Sequence, residues 1–173
     1  MQGSIVKIRP GVSTKMQEIE RKFLVTSEGY KAQSQLETPI VQGFLNTHPD
    51  RTVRVRIMGE QGFITVKGRS NKEGTTRFEW ETEITVSDAE ALLDLCEEGT
   101  VAKVRYHVKV ADHLFEVDVF EEDNEGLIVA EVELKSADED FQKPDWLGAE
   151  VTGETKYYNS QLSINPFKNW NHE

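Results

Sequence analysis

From Gln17 onward, polar and apolar residues alternate in short runs bounded by turn-forming residues. Period-two alternation predicts half-buried strands. It marks eight of them: 17–25, 40–46, 52–58, 62–68, 76–86, 101–110, 114–121 and 127–135. Four short segments read as helices: 27–36 capped by Ser27, 88–97 capped by Ser87 with Glu90 in the capping-box position, 136–143, and 159–164. Residues 144–158 read as irregular, and no repeat or low-complexity tract interrupts the pattern. Many strands with short connections predict an antiparallel sheet or barrel, not a doubly wound parallel sheet.

The polar faces of these strands carry an unusual set of residues. Side chains two apart share a face, so the sets can be read directly. Glu18, Glu20 and Lys22 go together, as do Arg54 with Arg56 and Thr65 with Lys67. Arg77, Glu79, Glu81 and Glu83 align, then Lys103, Arg105, His107 and Lys109, then Glu116 with Asp118, and Glu131 with Glu133. The opposite faces are apolar, for example Val53, Val55 and Ile57, or Val104, Tyr106 and Val108. Two arrangements fit. The charges face water around a sandwich core, or they line a barrel lumen with the apolar faces turned outward under helices. The lumen is favoured because signs segregate by strand and acidic doublets aim two carboxylates at one point. A closed eight-stranded barrel has room for one small ligand.

Length and composition narrow the rest. The 173 residues suit one domain, and 29% charged with 37% hydrophobic residues suits a soluble globular chain. Residues 1–15 lack period and an apolar leader core, so they read as a flexible or vector-derived leader before a single domain over 16–173. No apolar run is long enough to span a membrane, and the one cysteine, Cys96, has no disulfide partner in the chain. Cytoplasmic residence is the expectation. A net charge of −11 argues against nucleic acid and anionic membrane as partners. Buried charges of both signs need partners. Carboxylate clusters without His or Cys suit hard cations such as Mg²⁺ or Mn²⁺. Arg and Lys clusters suit phosphate. Together they fit a metal–polyphosphate complex.

At this point the residues resemble a known family. Glu18-Ile-Glu-Arg-Lys22 is similar to the ExExK signature of CYTH proteins, the triphosphate tunnel metalloenzymes. Arg54-Val-Arg56, Thr65-Val-Lys67, Arg77-Phe-Glu79, Lys103-Val-Arg105, Glu116-Val-Asp118 and Glu131-Val-Glu133 follow in family order. The resemblance runs from about Gln17 to Asn159. In the closing motif, Glu154 and Lys156 stand where many members carry Asp and Arg. It implies a mainly β (α+β) fold: a closed eight-stranded antiparallel barrel tunnel with short helices packed outside. It also implies metal ligands among Glu18, Glu20, Asp118, Glu131 and Glu133, with Mg²⁺ or Mn²⁺ as cofactor. Lys22, Arg54, Arg56, Lys67, Arg77, Lys103 and Arg105 would hold a triphosphate. Lys103 and Arg105 would sit by the leaving phosphate, and Glu79 and Glu81 would serve metal or water positioning.

The activities it implies are hydrolysis of inorganic tripolyphosphate, class IV adenylate cyclase chemistry, thiamine triphosphate hydrolysis, or polyphosphate binding without catalysis. The compact length and the opening EIERKFLV favour the first. The ligand class is a small-molecule triphosphate, and a homodimer suits an exposed-edge β protein. Cys96 reads as core filler, His107 as a rim residue, Trp80 as outer packing and Trp170 as part of a loose tail. His48, His113 and His172 fall in expected loops or the tail without zinc-ligand spacing.

Overall fold

The computed structural model describes Val12–Ser13 and residues 17–171. Of the expected leader only Val12–Ser13 fall among these, and His172 lies outside them. Eleven strands form among the described residues: β1 (Val12–Ser13), β2 (Glu18–Val25), β3 (Ser34–Asn46), β4 (Arg51–Met58), β5 (Gln61–Gly68), β6 (Thr76–Arg77), β7 (Glu79–Ile84), β8 (Val101–Val110), β9 (His113–Phe120), β10 (Ile128–Glu133) and β11 (Leu147–Glu150). Three short helices accompany them: α1 (Gly29–Gln33), α2 (Val86–Leu93) and α3 (Asn159–Ile164).

Every pairing is antiparallel, in the order β1-β7-β5-β4-β3-β8-β9-β10-β2-β11. The antiparallel β fold with short helices is as expected; the hydrogen-bonded path of this main ladder is open, where the expectation was a closed eight-stranded barrel. The expected strand 76–86 is instead broken at Phe78. Its first two residues, β6, pair with β2 (Glu18 opposite Arg77), while β7 pairs with β5 (Lys67 opposite Glu79). One chain segment thus touches both ends of the ladder, with Phe78 as the joint. β1 takes the free edge of β7, and β11 lies along β2.

The helices depart from expectation at their ends. α1 is short because β3 begins at Ser34, and Ser27 does not cap it. The hydroxyl of Thr85, not Ser87, caps α2 by accepting from the Asp88 N–H at 3.0 Å. Residues 136–143 are not helical, since the Asp-rich stretch before Pro144 runs as a strap. The irregular segment contains β11, and α3 forms where expected.

Two apolar clusters explain where charge can sit. The first (Phe23, Tyr30, Val108, Phe115, Val117, Ala130, Val132, Leu134 and Trp146) lies on the outward faces of β2 and β8–β10, under α1 and the strap. Trp146 is buried in it at 2% exposure, so it offers no stacking surface to a ligand. The second joins Val101, Phe120, Leu127 and Val129 to Val151, Tyr157 and Leu162, with Leu24 and Trp170 packed on it. By alternation Leu24 follows Lys22, Val129 precedes Glu131, and Phe120 follows Asp118 on the inward faces. The inward surface therefore turns from charged to apolar at one end, where Leu162 of α3 fills it. Trp170 is part of this closure through ring contacts to Tyr157 and Phe167, not a loose tail.

Candidate active site

The strand pleat carries charged residues from eight strands to one inner surface. Glu18, Glu20 and Lys22 come from β2, and Arg54 and Arg56 from β4. Lys67 (β5), Arg77 (β6), Glu79 (β7), Arg105 (β8), Glu116 (β9), and Glu131 with Glu133 (β10) complete the set. All line one cavity of about 180 Å³. Six cations thus face six carboxylates across it. Thr52, Thr65, Phe44 and the Tyr158–Ser160 turn at the start of α3 also line it. The two threonines were legible as i±2 neighbours of Arg54 and Lys67. Tyr158, Asn159 and Ser160 carried no periodic signal, because they enter from an irregular segment.

The inner charges are held in a network. Lys67 Nζ lies 2.8 Å from Glu18 and 3.3 Å from Glu79, and Arg77 Nε is 3.7 Å from the same Glu18 oxygen. Lys22 Nζ reaches Glu131 at 3.1 Å. Arg105 donates to Glu116 at 2.6 Å and to both oxygens of Asp118 at 2.7 and 2.8 Å. Among the described residues, the Arg54 and Arg56 Nε atoms are buried without a hydrogen-bond partner. Those donors are available to an anion.

Burial and neighbours set the protonation states. Burial pushes Glu20 up, and the Glu131 and Glu18 carboxylates push it further, to about 7. For Glu18 burial acts upward as well, but Lys67 and a hydrogen bond from Glu79 outweigh it and hold the group at about 2. Burial likewise opposes ionisation of Glu131, yet Lys22 and Arg105 keep it well below the usual carboxylate range. Glu79 is raised by burial and by its hydrogen bond with Glu18. Burial, then the neighbouring Arg54, brings Arg56 down to about 10.

Three expected site residues are not in the cavity lining. Lys103 is 1% exposed, with its Nζ 2.5 Å from Asp118 and 3.1 Å from Asn159 Oδ1. Asp118, also 1% exposed, spends both oxygens on Arg105 and Lys103. Glu81 accepts from Thr65 at 2.6 Å and pairs with Arg54 and Arg56 at 3.4 and 3.2 Å. None of the three lines the cavity. Each of them contacts a residue that does: Lys103 touches Asn159, Asp118 holds Arg105, and Glu81 holds Arg54, Arg56 and Thr65.

The other singled-out residues also have places. His107 stands 3.8 Å from Glu116, and His113 opens β9, 2.8 Å from Glu139. Cys96 packs on Gly43, where an added β-carbon would fall 3.0 Å from the cysteine's own.

Among the described residues, no three His, Cys, Asp or Glu side chains converge as a ready metal cage. Glu18 and Glu131 are drawn instead to Lys67, Arg77 and Lys22. The donor set still fits a hard divalent cation. It is all carboxylate oxygen, and the upward pressure on Glu20 from Glu18 and Glu131 is repulsion that a cation relieves. No helix among the described residues is long and apolar enough to cross a membrane.

Comparison with known proteins agrees with this geometry. The CYTH domain profile matches residues 16–163. The chain is 43% identical over 156 residues to an inorganic triphosphatase of Acetivibrio thermocellus, covering 88% of this chain and 97% of that one. It is 38% identical to an inorganic triphosphatase of Nitrosomonas europaea, covering 86% and 98%. A solved inorganic triphosphatase structure, NE1496, superposes with a TM-score of 0.61 at 36% identity, covering 85% of this chain and 97% of that one. A Hippeastrum protein described as a putative adenylyl cyclase with dominant triphosphatase activity shares the fold at 13% identity and a TM-score of 0.56, covering 69% of this chain and 80% of that one.

Proposed function

The chain belongs to the CYTH domain family, and from that premise we propose that it is a divalent-cation-dependent inorganic triphosphatase. The observation that carries this reading is the cavity itself, where six cations and six carboxylates face one small space. Relatives that are 43% and 38% identical over most of the chain are inorganic triphosphatases, which weighs against the cyclase alternative.

Lys22, Arg54, Arg56, Lys67, Arg77 and Arg105 would hold the phosphoryl oxygens, the arginines through paired donors. Glu18, Glu20, Glu131 and Glu133 would hold Mg²⁺ or Mn²⁺. When bound, that cation neutralises phosphoryl charge and orients the chain. With substrate bound, Lys22, Lys67 and Arg77 would turn from Glu131 and Glu18 to phosphate oxygens, leaving those carboxylates as the residues that would hold the cation. Hydrolysis breaks a terminal P–O–P bond, adds water to the outer phosphorus and leaves pyrophosphate. The protein's part is positioning and charge stabilisation. Arg105, locked by Asp118 and Glu116, would steady charge on the leaving pyrophosphate. Glu79, beside Lys67 and Glu18, would position the attacking water. Lys103, Asp118 and Glu81 would keep the arginines in register.

The test is phosphate and pyrophosphate release from tripolyphosphate, ATP and thiamine triphosphate, each with Mg²⁺, Mn²⁺ or EDTA. Cation-dependent orthophosphate release from tripolyphosphate, with little from the organic substrates, supports the proposal. Pyrophosphate with cyclic AMP from ATP replaces it with cyclisation. No turnover of any substrate reduces the site to a binding module.

A further inference from the structure

Beside the central cavity lies a second chamber of about 250 Å³, larger than the first. Thr52, Arg77, Tyr158 and Ser160 line both spaces and so form the wall between them. Thr52 and Ser160 are short, and Arg77 is paired to Glu18. The bulk of the wall is Tyr158. Its ring carries Lys22 Nζ at 5.3 Å and Arg77 Cζ at 5.7 Å from its centroid, contacts that hold an aromatic ring in place. Its hydroxyl abuts the turn opposite: a β-carbon added at Gly74 would lie 3.2 Å from the Tyr158 oxygen. Its backbone is fixed as well, with the amide bonded to Thr155 O at 3.0 Å and the carbonyl accepting from Leu162 at 2.9 Å.

The chamber behind this wall would not repel an anion. Arg77, Arg69 and Lys72 line it, and no acidic side chain does. Arg69 is paired with Asp50. Lys72 makes no ion pair among the described residues. Room and charge would both admit a further phosphate, so the barrier is steric.

We propose that Tyr158 is a specificity-determining residue whose ring limits the substrate to three phosphates by closing the central cavity against a cationic outer chamber. The inference rests on the reading of that cavity as a triphosphate site. It assigns the outer chamber a latent ligand class, the fourth phosphate of a linear polyphosphate.

The experiment compares kcat/KM for tripolyphosphate and tetrapolyphosphate in the wild type, Tyr158→Ala and Tyr158→Phe. The wild type is expected to favour tripolyphosphate. Tyr158→Ala raises the tetra-to-tri ratio at least tenfold, mainly through a lower KM for the longer chain, and Tyr158→Phe keeps the wild-type ratio. Adding Lys72→Ala to Tyr158→Ala removes most of the gain. An unchanged ratio in a folded Tyr158→Ala protein overturns the proposal. If that variant does not fold, the wild type alone decides, because equal kcat/KM for the two chains also overturns it. If the wild type hydrolyses neither chain, the triphosphatase reading falls separately. Calorimetric binding of the two polyphosphates then tests the wall, and equal affinity removes it.

Discussion

Asp118 lies between Lys103 and Arg105 with both its oxygens engaged and 1% of its surface exposed. Removing one partner of a buried pair strands the other charge, a loss of about 3–5 kcal/mol. Asp118→Ala is therefore expected to lower stability by about that amount in denaturant titration, whatever its effect on turnover. A change within the scatter of surface substitutions, about 0.5 kcal/mol, contradicts the bracing role. Glu20 bears on pH. Its carboxyl is neutral below about 7 and ionised above, through burial and the neighbouring Glu131 and Glu18. Its folded value exceeds the ordinary glutamate value of 4.5, so between those two points the folded state holds a proton that the unfolded state has lost. The stability it contributes falls as pH rises through that window. A divalent cation binds the ionised form and offsets the loss. Thermal melts are expected to show a larger Mg²⁺-induced rise in Tm above pH 7 than below it; equal rises contradict the assignment of Glu20 to the cation. Period-two alternation was enough to gather most of these residues, because a strand places every second side chain on one face. It could not tell Arg105, which lines the cavity, from Lys103 two residues away, which does not. That difference arises from Asn159 of α3 packing over Lys103, a contact 56 residues distant in the chain.

The elements divide along the same line. Strands β2, β4, β5, β8 and β9 fall within one residue of the bounds their sequence implies, since their two faces differ sharply. The break at Phe78 was not legible, because alternation continues through it and only the change of partner from β2 to β5 bends the chain. The strap over 136–143 was mistaken for a helix because its helical spacing carries no information about the core it covers. Its Phe141 ring packs on Phe23 and Phe115 at 5.8 and 5.9 Å between centroids. α2 shows a local rule applied two residues late. Ser87 satisfied the capping pattern, but Thr85 holds the extended backbone that a cap requires (φ −65°, ψ 152°). Thr85→Ala should cost about 1 kcal/mol and Ser87→Ala close to nothing, as measured by denaturant midpoints. The reverse order contradicts the capping geometry.

At the scale of the molecule, the net charge of −11 looked unsuited to a phosphate ligand until the bases were located. Six of the 20 lysines and arginines face one cavity, where a low dielectric strengthens each contact. A further pocket adjoins it in which seven carboxylates outnumber Lys135 and His113, so one flank of the cavity is mainly acidic and suits cations. The apolar cluster around Leu162 fills the inward surface at one end. Enclosure of this kind depends on the C-terminal segment and on β6 reaching β2, both long-range events that strand alternation does not carry. The account turns on Glu131, which is held ionised beside Lys22 and assigned to the cation. The most direct measurement is the initial rate of orthophosphate release from tripolyphosphate at saturating Mg²⁺, for the wild type and Glu131→Gln. Rapid release by the wild type is expected, with a loss of at least tenfold in the variant whose fold stays intact. Equal rates in the two proteins would place the reaction outside this cavity.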